Sequence, residues 1–437
     1  MERTREVSPR KLSSKPTELV LIAHKFCKGV VIPPLKFKSN GLRLAFVDHD
    51  LLANSPIGQL VPIQGTDARY GPYACFAYLP DELPESLDLG NMETLRGVTD
   101  ATAALARLDQ ACSQLREPGL LIRPALYREA LDTSALEGTY GQLTEVLEAG
   151  LSVSAFQSPE TREILGYVQA ALHAFAEIGE RPISIGLLAS AQAEMFRNAD
   201  GAPTDVGKVR ERQVWIGPED SSITEARFVP VPGDDRLHSA LDGWIRWVED
   251  PHGWPVVLRA AIAHYQFETL HPFSDGNGRI GRLAIVLQLL RAGTIKHPAI
   301  TISPWLFRHR EEYQQHLFLV SRTGDWGPWI QFFCHAIVDQ CAALIAGAER
   351  LNLWLDESRR LINERRWAGK IHDVLTDLTQ WPMISIAATA ARFELTSTAA
   401  TNIVNHLVEV GIIEEVTGRS YGRVFGAAVV MDIVDAI

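Results

Sequence analysis

The chain has 437 residues, 46% of them hydrophobic and 22% charged, with a formal net charge of −11. That length allows two or three domains with their own cores, and the acidic balance argues against a chain-wide affinity for nucleic acid. Five scattered cysteines (Cys27, Cys75, Cys112, Cys334, Cys341) form no CxxC pair, so neither a disulfide framework nor a cysteine metal site is expected.

Residues 1–47 carry ten Lys or Arg against three acids and read as a basic extension, either a solvated arm or an over-extended start. A nucleic-acid or membrane-surface role is the alternative. The Leu19–Ala23 stretch is too short for a signal-peptide core. No apolar run approaches the roughly 18–20 residues that span a bilayer, so a cytoplasmic protein without a membrane partner is expected.

From about residue 95 the pattern is helical. Val98, Ala101, Leu105, Leu108, Cys112 and Leu115 form one apolar stripe at spacings of three and four. A second helix runs from Pro124 to Gly138, a natural residue just past a helix end. Further helices are expected at 160–178 and 183–196. Val214-Trp215-Ile216 and Arg227-Phe228-Val229 flank a polar turn and predict a hairpin within 213–231. Helices resume at 235–249, 255–270, 279–292, 309–321 and 326–350. From about 367, three helices (370–379, 384–393, 396–410) and two short strands around Thr417–Gly422 predict a winged-helix module.

The chemistry concentrates between two apolar helices, in Leu270-His271-Pro272-Phe273-Ser274-Asp275-Gly276-Asn277-Gly278-Arg279-Ile280-Gly281-Arg282. Pro272 and the Gly-Asn-Gly run break the helix, so His271 ends one helix and Arg279 opens the next. Gly276 and Gly278 allow positive φ and close backbone approach. Successive backbone N–H groups at a helix N-terminus make an anion nest, to which Arg279 and Arg282 add charge. This is a polyphosphate cradle. Asp275 is a hard oxygen ligand suited to Mg²⁺ that also takes phosphate oxygens. His271 has the pKa range to accept a proton from an attacking hydroxyl. Taken singly, each piece has a bland reading as a cap or a turn; their conjunction points to nucleotidyl transfer, which is mainly positioning and electrostatic stabilisation.

The run from His271 to Arg282 closely resembles the Fic motif, HPFx(D/E)GNGRxxR, with no departure at a defining position. Gly207-Lys-Val-Arg210, Gln213-Val-Trp-Ile-Gly217 and Phe228-Val-Pro-Val-Pro232 resemble the family's flap, and Ala261–Thr269 its preceding helix. The resemblance spans roughly residues 60–437. It implies a mainly α fold: an all-helical core with a small β-hairpin flap, plus a C-terminal winged helix. Its domains would be an N-terminal helical region (48–160), a catalytic core (161–350), and a linker helix with the winged helix (351–437).

The activity implied is transfer of AMP from ATP to a Tyr, Thr or Ser hydroxyl of a protein target that the sequence does not identify. By motif position His271 would be the general base and Asp275 the Mg²⁺ ligand. Gly276, Asn277 and Gly278 would bind the α- and β-phosphates, with Ile280 and Gly281 in the same turn. Arg279 would support the phosphates and Arg282 hold the γ-phosphate. Val214, Trp215, Ile216 and Gly217 would cover the nucleotide and align the target by backbone pairing. Tyr313 stands where the family often has a Tyr-Tyr pair, with Gln314 in the second place.

Thr133-Ser134-Ala135-Leu136-Glu137-Gly138 fits the family's inhibitory pattern, (S/T)xxxE(G/N), which gives Thr133, Glu137 and Gly138 an inhibitory part. Glu137 in the last turn of a helix opposes the macrodipole and is better tolerated beside a cation. The resemblance names Arg282 as that cation, so activity and restraint would compete for it. Some members use the same glutamate to remove AMP, and a nucleotide-sensing regulator is the reading from another class. The resemblance also allows a homodimer. DNA binding is the lesser reading for the C-terminal module: residues 384–437 hold three arginines against six acids, and 396–410 has no Lys or Arg.

Overall fold

A computed structural model describes residues 49–437 except 88, 90, 116–118, 152–156, 219 and 251–252. The expectations for residues 1–47 lie outside the described residues. A short α1 (His49–Leu52) leads into two antiparallel ten-residue strands, β1 (Gly58–Asp67) and β2 (Gly71–Pro80), in register from Gly58 opposite Pro80 to Asp67 opposite Gly71. This hairpin is an addition to the helical region expected over 48–160, whose helical pattern starts only near residue 95. One of its faces packs Val61, Ile63, Tyr73, Cys75 and Ala77 against Ile223, Ala226 and Val229, giving it a small core of its own.

The helices then follow: α2 (Met92–Gln114), α3 (Gly119–Leu136), α4 (Leu143–Ala149), α5 (Pro159–Glu177) and α6 (Ile185–Phe196). Side-chain caps fix several starts, Asn91 for α2, Ser158 for α5 and Ser184 for α6, each accepting from a first-turn N–H. Between α6 and α7 (Asp235–Glu249) the expected hairpin is absent as strands. Ile216 and Phe228 meet in one isolated antiparallel bridge around a short 3₁₀ turn, and Tyr78 of β2 makes a parallel bridge to Pro230. The flap is therefore a loop leaning on the β1–β2 hairpin, because the polar and proline residues of 217–232 leave too few positions to pair.

Next come α8 (Val256–Leu270), α9 (Asn277–Arg291), α10 (Ser303–Arg308), α11 (Arg310–Thr323) and the 38-residue α12 (Gly327–Glu364). α9 begins at Asn277, two residues earlier than expected, and α12 runs fourteen residues past the expected end, its stripe continuing through Leu351, Leu355 and Ile362. α4 and α10 were not anticipated. α8 and α9 are buried all round, as core helices must be.

α12 also corrects the membrane argument in part. It is long and apolar enough to cross a bilayer, with an 18-residue window of mean hydropathy 1.4, but 56% of that window is buried inside the fold. It packs against α2, α3, α8, α10 and α11, as the core helix of the bundle.

The C-terminal elements are α13 (Ile371–Asp377), β3 (Met383–Ser385), α14 (Ile386–Arg392), α15 (Ser397–Glu409), β4 (Glu414–Glu415), β5 (Val424–Gly426) and α16 (Ala428–Ala436). The strands form a sheet in the order β3-β5-β4, antiparallel throughout. α16 has no counterpart in the sequence reading. It packs on α12 and α3.

Candidate functional site

α8 ends at His271, whose backbone turns left-handed (φ 51°, ψ 62°) before Pro272. A buried arginine holds that turn. Arg210 receives no solvent, and its backbone N–H donates to the Pro272 carbonyl at 2.9 Å. Its guanidinium donates to the carbonyls of His271 (2.7 Å), Leu270 (3.2 Å), Arg212 (3.1 Å) and Val231 (2.6 Å). One fork thus ties the end of α8 to both ends of the flap, which a lysine could not reproduce. The sequence reading placed Arg210 in a motif without giving it this task; it sits in the charged run Lys208-Val209-Arg210-Glu211-Arg212, where nothing singles it out.

The loop closes on itself before α9. Asn277 Oδ1 accepts from Phe273 N at 2.7 Å, and its Nδ2 donates to the Phe273 carbonyl at 2.8 Å. The Asn277 side chain is thereby a staple, leaving its backbone N–H for an anion. Gln192 braces the same loop, donating to the Asp275 carbonyl (3.2 Å) while accepting from Gly207 N (2.6 Å). Ser274 donates to Asp205 at 2.5 Å and accepts from Arg212 at 2.9 Å. Gly276 caps α9 in the left-handed region at φ 82°, whereas Gly278 is helical. The first N–H groups of α9, at Asn277, Gly278 and Arg279, have no intrahelical partner and face the loop as an anion nest.

Both motif arginines are buried. Arg279 pairs closely with Glu163 of α5 and lies 3.4 Å from Asp275, with its guanidinium 5.3 Å from the centre of the Phe196 ring. Arg282 is held from α3: its Nε donates to Thr133 Oγ1 at 2.7 Å, and its Nη2 to the Thr133 carbonyl at 3.0 Å and Glu137 Oε1 at 2.6 Å. Glu137 lies one residue past the end of α3, its N–H donating to the Ser134 carbonyl, and Gly138 follows at φ 100°. A Cβ on Gly278 would stand 2.0 Å from Glu137 Oε1, so only glycine admits the glutamate to the nest. Ile280 is core, and Tyr313 is buried with its hydroxyl 2.8 Å from His264 Nε2, behind Arg282.

Electrostatics follow the packing. Burial pushes Glu137 up, but the charge and hydrogen bond of Arg282, with Arg279 and His271, outweigh it and leave the carboxyl below the usual range. Burial and the neighbouring Arg210 bring His271 down to about 4, so its imidazole is neutral at pH 7. Nδ1 lies 3.3 Å from the Glu268 carbonyl, which can only accept; the proton is therefore assigned to Nδ1 and Nε2 is left as the base. Burial raises Asp275 against the pull of Arg279.

Among the described residues no cluster of three or more His, Cys, Asp or Glu side chains forms a metal cage. The one half-exposed carboxylate of Asp275, beside an anion nest, fits a Mg²⁺ that arrives on phosphate oxygens and keeps water, since this ion is held through one or two carboxylates rather than a full protein shell. Within the flap, Trp215 Nε1 donates to the Ser221 carbonyl and Gln213 Nε2 to those of Val214 and Pro230, while Arg212 ties its base to Ser274 of the loop.

Residues 95–176 match the family model described as Fic/DOC family N-terminal, and residues 182–289 that of the Fic/DOC family. The chain is 29% identical over 247 residues to "Protein adenylyltransferase fic-1" of Caenorhabditis briggsae, covering 54% of this chain and 44% of that protein. It is 28% identical over 257 residues to "Protein adenylyltransferase Fic" of Drosophila ananassae, covering 57% and 47%. The matched part is thus about half the length of these curated relatives. Among solved structures, a Fic family protein from Desulfovibrio desulfuricans G20 shares the fold at TM-score 0.50 and 18% identity, over 79% of this chain and 98% of that one.

Proposed function

We propose, for a chain that belongs to the Fic/DOC family, that it transfers AMP from ATP to a Tyr, Thr or Ser hydroxyl of a protein, with Glu137 as a built-in brake. The observation that carries both halves is the capture of Arg282 by Thr133 and Glu137 at the mouth of the anion nest.

In the reaction the target hydroxyl attacks the α-phosphorus, the bond to the β-phosphate oxygen breaks, and pyrophosphate leaves. Nε2 of His271 takes the hydroxyl proton. The N–H groups of Asn277, Gly278 and Arg279 hold the phosphates, and Arg282 holds the γ-phosphate once Glu137 withdraws. Mg²⁺ on Asp275 would neutralise phosphate charge. Val214–Gly217 align the target segment through main-chain hydrogen bonds. While Glu137 occupies Arg282, the γ-phosphate has no cation to meet and its charge is repelled.

The adenylyltransferase names of the curated relatives support the reaction class. The four described cysteines are free thiols, which suits a reducing compartment such as the cytoplasm. We read the C-terminal elements as a winged helix used for protein docking, since α15 carries no Lys or Arg. Mass spectrometry after incubation with Mg·ATP tests the assignment: covalent gain of AMP on Glu137→Gly protein or a co-incubated lysate is expected. Nucleotide binding without modification would leave a sensor, and loss of pre-attached AMP would make the chain a remover of AMP.

A further inference from the structure

Glu268 stands on α8, one turn before His271, and its side chain has no part in the transfer above. Its Oε1 is buried and makes no hydrogen bond to any described residue. It lies so close to α9 that a Cβ on Gly281 would come within 2.3 Å of it. That places the carboxyl against the turn carrying Arg282, on the α8 side, while Glu137 approaches the same turn from α3. A buried carboxyl with an idle oxygen is costly to keep unless it is needed in another state.

The groups facing it come from four elements. Arg282 lies on α9, Glu137 follows α3, Tyr313 projects from α11, and His264, bonded to that tyrosine, is on α8. Burial raises the Glu268 carboxyl to about 8 against the pull of Arg282, and the Glu137 charge adds to the rise. His264 is driven down to about 3 by burial and then by Arg282, so it is neutral at pH 7. With the brake engaged, the cluster therefore holds one cation, one anion and one protonated acid.

We propose that Glu268 is the reserve counter-ion of Arg282: it releases its proton when Glu137 leaves the arginine, and regains one when the γ-phosphate arrives. Losing Glu137 removes an influence that keeps Glu268 protonated and leaves the guanidinium buried without an anion. An isolated buried charge is far less stable than a paired one, and Glu268 is the acid beside it that can ionise. Glu268 is thus a positioning residue that keeps Arg282 in place while the nest is empty. This rests on reading Arg282 as the γ-phosphate ligand.

Calorimetry tests it. Binding of a Mg²⁺–ATP analogue that cannot be cleaved at the α–β bond is measured at pH 7, in two buffers of different ionisation enthalpy. The proteins are the Glu137→Gly variant and the double variant Glu137→Gly with Glu268→Gln. The first should take up close to one more proton per nucleotide than the second, and equal uptake would overturn the proposal. Failure of the Glu137→Gly protein to bind nucleotide at all would overturn the γ-phosphate reading, and the proposal with it. Should the double variant fail to fold, infrared spectra decide with Glu268 intact. A protonated-carboxyl band present in the natural protein at pH 7 should vanish in Glu137→Gly and return with the analogue; a band that persists without nucleotide refutes the idea.

Discussion

Arg282 makes three hydrogen bonds to the Thr133–Glu137 turn, and the guanidinium is 1% exposed. Glu137→Gly removes the charged partner and leaves the other two bonds. Its expected effects are a gain of at least tenfold in incorporation of labelled AMP, and a loss of stability of about 1–3 kcal/mol from the lost charge-assisted hydrogen bond. Unchanged incorporation would remove the brake. His271→Ala should abolish the signal in either background, because general-base help is worth roughly 10²–10⁴-fold.

The protonation of His271 gives a second check at this scale. With the imidazole at about 4, the acid limb of kcat/KM should fall near that value rather than at the ordinary 6.5. Glu137 is one of the influences raising it, so in the Glu137→Gly protein the limb moves further down. A limb near 6.5 in that variant would show the ring to be solvated. Stability follows the same sign. Between about 4 and 6.5 the unfolded chain binds a proton that the folded protein does not, so this contribution is lost as pH falls through that window.

At the scale of elements, Arg210 couples the end of α8 to the flap. Arg210→Lys keeps one charge but cannot serve four carbonyl contacts from a planar fork; several buried carbonyls lose donors at about 1–3 kcal/mol each. The expected outcome is a fall in kcat of about a hundredfold together with a lower melting temperature, measured on Glu137→Gly protein so that the brake is not limiting. Retained kcat would show that the left-handed turn at His271 holds without the clamp.

The same elements explain what was legible. His271 to Arg282 lie in one continuous loop, so base, carboxylate, nest and cations could be read from order alone. Glu137 is 145 residues from Arg282, and only resemblance paired them. The β1–β2 hairpin escaped because Pro62 and Pro72 interrupt its alternation, and its inner face meets only three buried side chains, Ile223, Ala226 and Val229. The alternation of Tyr73, Cys75 and Ala77 before Pro80 was the available signal. The flap misled in the other direction: its β-branched and aromatic triplets suggested strands, yet one bridge forms and β2 supplies the rest of the support.

Across the whole described unit, α12 links the nucleotide half to the C-terminal elements, and those elements reach back to the brake helix. Trp381, before β3, lies between Arg123 of α3 at 4.3 Å and Arg392 of α14 at 4.5 Å, and meets Tyr127 of α3 edge-on at 6.1 Å. Arg128 of α3 lies 3.3 Å from Asp435 of α16, and Arg419 is 2.5 Å from Glu148 of α4. The exposed ion pairs contribute little, about 0–1 kcal/mol. The tryptophan contributes more: a cation over its face is worth about 0.5–1 kcal/mol and an aromatic pair about 0.5–1.5 kcal/mol. Glu137 follows directly on the end of α3, so contacts that hold α3 to the C-terminal elements also steady the brake. Trp381→Ala should therefore raise AMP incorporation by up to about tenfold, since roughly 1.4 kcal/mol corresponds to that factor. The rise should vanish in a Glu137→Gly background, where no brake is left to loosen. A Trp381→Ala protein that melts earlier but labels no faster would confine the tryptophan to stability, and a rise that persists without Glu137 would place its effect on the catalytic loop instead of on α3.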